Sequence, residues 1–115
     1  MPTAGHIAYV QLPNTDLSQG KNRPVLIIGK CPGKFDDWLI CPVSLRQYQA
    51  TPGVDELVNP GEADYTATGL VVPSVIRVCR LAVVESSLLI GAIGVVDPAR
   101  LARVKASLIN WISNL

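Results

Sequence analysis

The sequence predicts a small, mainly β domain (α+β) with one C-terminal amphipathic helix. Short apolar runs rich in Val and Ile, separated by turn chemistry, occupy the first 96 residues, which is the pattern of a small all-β domain. Several runs, such as Val25-Leu26-Ile27-Ile28, are apolar on both faces, so the sheet must bend into a closed or half-closed barrel or be covered by another element. After Val96 the period changes to that of a helix.

In chain order, strands are expected near residues 6–12, 24–29, 37–43, 69–72, 74–84 and 88–96. Leu101, Val104, Leu108, Trp111, Ile112 and Leu115 then recur at helical spacing, with Arg100, Arg103, Ser107 and Asn110 opposite them. Asp97 is a good N-cap, and Pro98 suits the first helical position, where its missing N–H costs nothing. Residues 13–22 are too polar to bury and too long for an ordinary hairpin connection, so they read as a functional loop. Residues 50–68 carry Asp55, Glu56, Glu62 and Asp64 with no Lys or Arg, which predicts an acidic loop that repels phosphate.

A chain of 115 residues with 49% hydrophobic and 17% charged residues has the size and composition of one compact domain, 1–115, with a real core. Its formal charge of +1 argues against coating nucleic acid by charge alone, so an anionic partner must meet a local cluster. The apolar stretch Leu88 to Val96 is broken by Gly91 and Gly94 and falls short of the roughly 20 residues a bilayer helix needs, so no membrane role is expected. The start, Met1 to His6, has no basic region ahead of an apolar one, and the expected residence is cytoplasmic. Cys31, Cys41 and Cys79 lack the C-x-x-C spacing of a zinc site and read as small buried hydrophobes.

The chemistry concentrates around one hairpin. If Pro24 faces Val43 across an antiparallel pair, Arg23 faces Ser44, and opposed residues have Cβ atoms about 5 Å apart. A guanidinium and a hydroxyl then reach one phosphate. Pro24 restricts Arg23 to an extended conformation, and the planar fork of an arginine suits a phosphate in a confined site. Arg23 also fits a plain surface arginine, and Ser44 a turn-forming serine. Lys21, Lys30, Lys34 and Arg46 flank the hairpin as a modest basic patch, and Arg46-Gln47-Tyr48 suits unpaired bases and phosphates. With a single histidine, His6, a two-histidine ribonuclease site is impossible. The stretch Gly91-Ala92-Ile93-Gly94 lacks a third glycine for a dinucleotide loop, so neither metal nor cofactor is expected.

Taken in order, Gly5-His6-Ile7, Lys21-Asn22-Arg23-Pro24-Val25-Leu26-Ile27-Ile28, Ile40-Cys41-Pro42-Val43-Ser44, Gly69 to Val78 and Ile90 to Gly94 resemble the MazF/PemK-type toxins of type II toxin–antitoxin systems. The resemblance spans almost the whole chain. It implies a small SH3-like β-barrel with a C-terminal helix, acting as a homodimeric, metal-independent endoribonuclease on single-stranded RNA and silenced by a cognate antitoxin. It places the family's catalytic arginine on Arg23 and its hydroxyl partner on Ser44. The reaction it implies uses the substrate's 2′-hydroxyl and leaves a 2′,3′-cyclic phosphate and a 5′-hydroxyl end. Gln19, Lys21, Asn22, Arg46 and Gln47 are the expected substrate-binding residues, and DNA is expected only through the antitoxin complex.

The chain departs from the family pattern at His6, where many relatives carry an acidic residue, and at Ser44, where several carry threonine. A serine keeps the hydroxyl. The rival reading is a non-catalytic SH3-like binding module, or an autorepressor acting with an antitoxin.

Overall fold

The computed structural model describes residues 2–11 and 22–115. Seven strands form one mainly antiparallel system: β1 (His6–Gln11), β2 (Asn22–Lys30), β3 (Asp37–Ser44), β4 (Glu56–Val58), β5 (Ser74–Ile76), β6 (Ala82–Glu85) and β7 (Leu89–Val95). A single helix, α1 (Pro98–Ser113), follows. The strand order is β4-β5-β3-β2-β1-β7, with β6 also paired to β3. Among the described residues no ladder joins β6 to β7, so the sheet curls in a barrel-like form without closing.

The double-faced apolar runs are explained by two packed clusters. Leu26, Ile28, Cys41 and Val43 join Ile7, Val78, Val104 and Leu108 in one cluster beneath α1. Their alternate neighbours Val25, Ile27, Trp38 and Ile40 join Ala8, Val10 and Val84 in the other. Each fully buried Val, Leu or Ile side chain contributes roughly 1.5–3 kcal/mol, so both faces of β2 and β3 stabilise the fold.

Two expected strands take other forms. The run 74–84 divides because the edge of β3 is shared between two partners. Val43 and Ser44 pair with β5, whereas Asp37 to Ile40 pair with β6. Between them the chain turns through a 3₁₀ segment, Val78–Arg80, while Arg77 N–H donates to Pro42 O at 2.9 Å. Residues 69–72 form no strand, because Gly69 ends a short 3₁₀ turn with φ 74. The expected acidic loop instead contains β4, which pairs with β5 from Glu56↔Ile76 to Val58↔Ser74.

The glycine pair that resembled a broken nucleotide loop serves packing. Gly91, at φ 55, is the extra residue between Ala8↔Ala92 and Tyr9↔Ile90, where the β1–β7 register shifts. Gly94 lies so close to the backbone of Ala67 and Thr68 that a Cβ there has no room.

Helix α1 begins as expected, with Asp97 Oδ1 accepting from Ala99 N–H at 2.8 Å and Pro98 in the first turn. Its buried stripe differs from the expected one. Arg100, Val104 and Leu108 point inward, while Ile112 and Leu115 are exposed. No helix among the described residues is long and apolar enough to cross a membrane.

Candidate functional site

The β2–β3 hairpin adopts the expected register at its functional end. Val25 faces Pro42, Leu26 faces Cys41 and Ile27 faces Ile40, before a bulge shifts the pairing to Gly29↔Leu39 and Lys30↔Trp38. At the functional end the ladder stops at Val25↔Pro42, two residues short of both Arg23 and Ser44, and Ser44 pairs instead with Val75 of β5. The β2–β3 ladder starts beside Pro24, which has no N–H to offer it. Strand β2 itself begins earlier than expected, at Asn22, and Arg23 pairs with Val10 of β1.

At this end of the hairpin a cleft of about 280 Å³ is lined by Asn22, Arg23, Pro24, Val43, Leu45 and Arg46. Arg23 and Arg46 are both exposed there and give the cleft its positive charge. Ser44 is not part of this lining; it is half-buried, and its O–H donates to Gln49 Oε1 at 2.6 Å. Gln47 is also half-buried, and its Nε2 donates to Asn59 Oδ1 at 2.6 Å and to Ser74 O at 3.1 Å. Gln19 and Lys21 lie outside the described residues. Tyr48, two residues after Arg46, is 80% exposed.

The carboxylates of the acidic stretch are all paired with arginines from elsewhere in the chain. Asp55 pairs with Arg77 at 2.9 Å, and Glu56, Glu62 and Asp64 all pair with Arg100 at 2.8–3.3 Å. Glu56 also pairs with Arg103 at 2.7 Å. Arg77 is therefore engaged with β4's flank, whereas Arg80 is exposed. Of the three cysteines only Cys41 is buried, in contrast to the expectation for all three. Burial, aided by Asp55 and Cys79, pushes its thiol up to about 12, and it donates to Val78 O.

A second cleft, of about 340 Å³, includes His6, Ala8, Ile27, Asp36 and Ser86 in its lining. Asp36 accepts from Ser86 Oγ and from Trp38 Nε1, and these bonds, Ser86 first, hold its carboxyl below the usual range. Sequence reasoning passed over Gln49, whose position five residues after Ser44 carries no motif, and Leu45, which lines the arginine cleft.

A family model described as the PemK-like, MazF-like toxin of type II toxin–antitoxin systems matches residues 3–112. The chain belongs to that family. Its fold is that of solved MazF toxins. A mycobacterial endoribonuclease, solved in complex with its cognate antitoxin, aligns at TM-score 0.69 and 14% identity, covering 98% of this chain and 96% of that one. MazF from Deinococcus radiodurans aligns at TM-score 0.67 and 22% identity, covering 97% and 96%. The toxin MazF-mt6 of Mycobacterium tuberculosis aligns at TM-score 0.66 and 18% identity, covering 94% and 96%. No curated protein sequence matches the chain. For this MazF/PemK-like chain, the arginine cleft at the open end of β2 and β3 is the site to weigh against the family's chemistry.

Proposed function

We propose that the protein is a toxin endoribonuclease that cleaves single-stranded RNA, mRNA included, without a metal ion. The substrate's 2′-oxygen attacks the adjacent phosphorus as the P–O5′ bond breaks. The 2′ proton passes to solvent and the 5′ oxygen takes one up, leaving a 2′,3′-cyclic phosphate and a 5′-hydroxyl end. The observation that carries this reading is the cleft shared by Arg23 and Arg46, at the end of the hairpin whose second strand ends in Ser44, in a chain of the MazF/PemK family.

Charge builds on the non-bridging oxygens as phosphorus becomes five-coordinate, and a fixed guanidinium stabilises it by charge-assisted hydrogen bonds. Arg23 takes that role, and Ser44 orients the reacting group. Asn22, Arg46 and Gln47, with Gln19 and Lys21, bind the RNA on either side of the scissile phosphate. The structure of the mycobacterial relative with its antitoxin supports an antitoxin as the silencing partner. The working form is a cytoplasmic homodimer, which light scattering at micromolar concentration checks; a monomer mass there refutes the dimer.

The deciding experiment incubates the pure protein with a long single-stranded RNA in EDTA and identifies the product ends. Cyclic phosphate and 5′-hydroxyl ends are expected. Intact RNA refutes the reading and favours a non-catalytic binding module of the same fold.

A further inference from the structure

The Ser44 hydroxyl already has partners in the free protein. Its O–H donates to Gln49 Oε1 at 2.6 Å, and its oxygen accepts the backbone N–H of Arg46 at 3.1 Å. A serine hydroxyl has one proton to give and two lone pairs to offer. With the proton directed at Gln49 and one lone pair taken by Arg46, a single lone pair is left.

The surroundings hold this arrangement in place. Gln49 closes a short 3₁₀ turn, Gln47–Gln49, whose backbone bonds run from Gln49 N–H to Arg46 O and from Ala50 N–H to Gln47 O, each at 3.0 Å. The turn is anchored by the Gln47 carboxamide, which reaches Asn59 just after β4 and Ser74 in β5. Ser44 is fixed through its backbone, which belongs to β3 and pairs with Val75 of the same strand β5. Donor and acceptor thus sit on segments both braced against β5, which favours a set hydroxyl orientation over a freely rotating one.

Building on the ribonuclease reading above, we propose that Gln49 is a positioning residue that turns the Ser44 proton away from the substrate. Ser44 then meets RNA as an acceptor and takes the hydrogen bond of the attacking 2′-hydroxyl. The non-bridging phosphate oxygens are themselves acceptors, so they fall to the arginines of the cleft. One hydroxyl and one guanidinium thereby divide the nucleophile and the phosphate between them.

The test measures RNA cleavage by the full chain as wild type, Gln49→Ala, Gln49→Glu, Ser44→Ala and the Gln49→Ala/Ser44→Ala double variant, all with matched urea midpoints. Loss of one such hydrogen bond lowers kcat about tenfold in Gln49→Ala while KM stays within about twofold. Gln49→Glu keeps an acceptor for the Ser44 proton and retains kcat within about threefold of wild type, even where its charge raises KM. In the Ser44→Ala background, Gln49→Ala has no further effect, since the two residues act as one unit. Equal kcat losses in Gln49→Ala and Gln49→Glu, or additive losses in the double variant, overturn the proposal. An inactive wild type refutes the ribonuclease reading instead, so the two failures are distinguishable.

Discussion

Arg100 grips Asp64 with two parallel hydrogen bonds, Nε to Oδ2 and Nη2 to Oδ1, each 2.8 Å long. The arginine is 3% exposed and the aspartate 7%. Nη1 also donates to Leu57 O at 2.7 Å, so one side chain of α1 ties down both β4 and the segment that follows it. The pattern placed Arg100 on the solvent side of the helix. It turns inward because three carboxylates from residues 56–64 surround it and satisfy its donors.

Removing one partner of this pair leaves the other charged and buried. Asp64→Ala is expected to destabilise the protein by about 3 kcal/mol, the lower end for a broken buried pair. Urea denaturation measures the loss. A change below about 1 kcal/mol would mean the pair behaves as a surface contact.

The same pair sets an acid limit. The Arg100 hydrogen bonds, assisted by the Asp97 N–H, hold the Asp64 carboxyl at about 2 even though burial pushes it upward. An unfolded aspartate titrates near about 3.9, so this contribution is complete above that pH and disappears as the pH falls toward about 2. Urea midpoints of wild type and Asp64→Asn should converge across that interval and stay parallel at neutral pH. Parallel curves down to low pH would contradict the assignment.

For Arg23, the expected cost of Arg23→Ala is about 10²–10³ in RNA cleavage rate, comparable to losing one transition-state donor elsewhere. Arg23→Lys keeps the charge but loses the fork, and recovers only part of the rate. Because Arg23 is exposed, neither variant should shift the urea midpoint appreciably. Unchanged cleavage by Arg23→Ala would remove it from the site.

The two glycines Gly94 and Gly29 should differ sharply in their response to alanine. A Cβ on Gly94 collides with the backbone of Ala67 and Thr68, so Gly94→Ala should cost at least about 2 kcal/mol. A Cβ on Gly29 meets nothing within 4 Å, and Gly29→Ala should stay within about 0.5 kcal/mol of wild type. Thermal melts of the two variants give the comparison directly.

Sequence alone determined the parts of this protein whose signals are local. Runs of Val and Ile give β1, β2, β3 and β7, and the Asp97-Pro98 start gives α1, because propensity, capping and alternation act within a few residues. The hairpin register from Val25↔Pro42 to Ile27↔Ile40 was also legible, since one turn joins the two strands. Tertiary structure decided what depends on distant partners. Strand β4 exists because β5 offers it an edge, and β3 divides its own edge between β5 and β6. Arg100 turns inward for carboxylates 36–44 residues away, well beyond the reach of helical periodicity. The acceptor that meets the Ser44 hydroxyl is set by where a short turn delivers Gln49, and that turn is anchored through Gln47 to β5 and to the residue after β4.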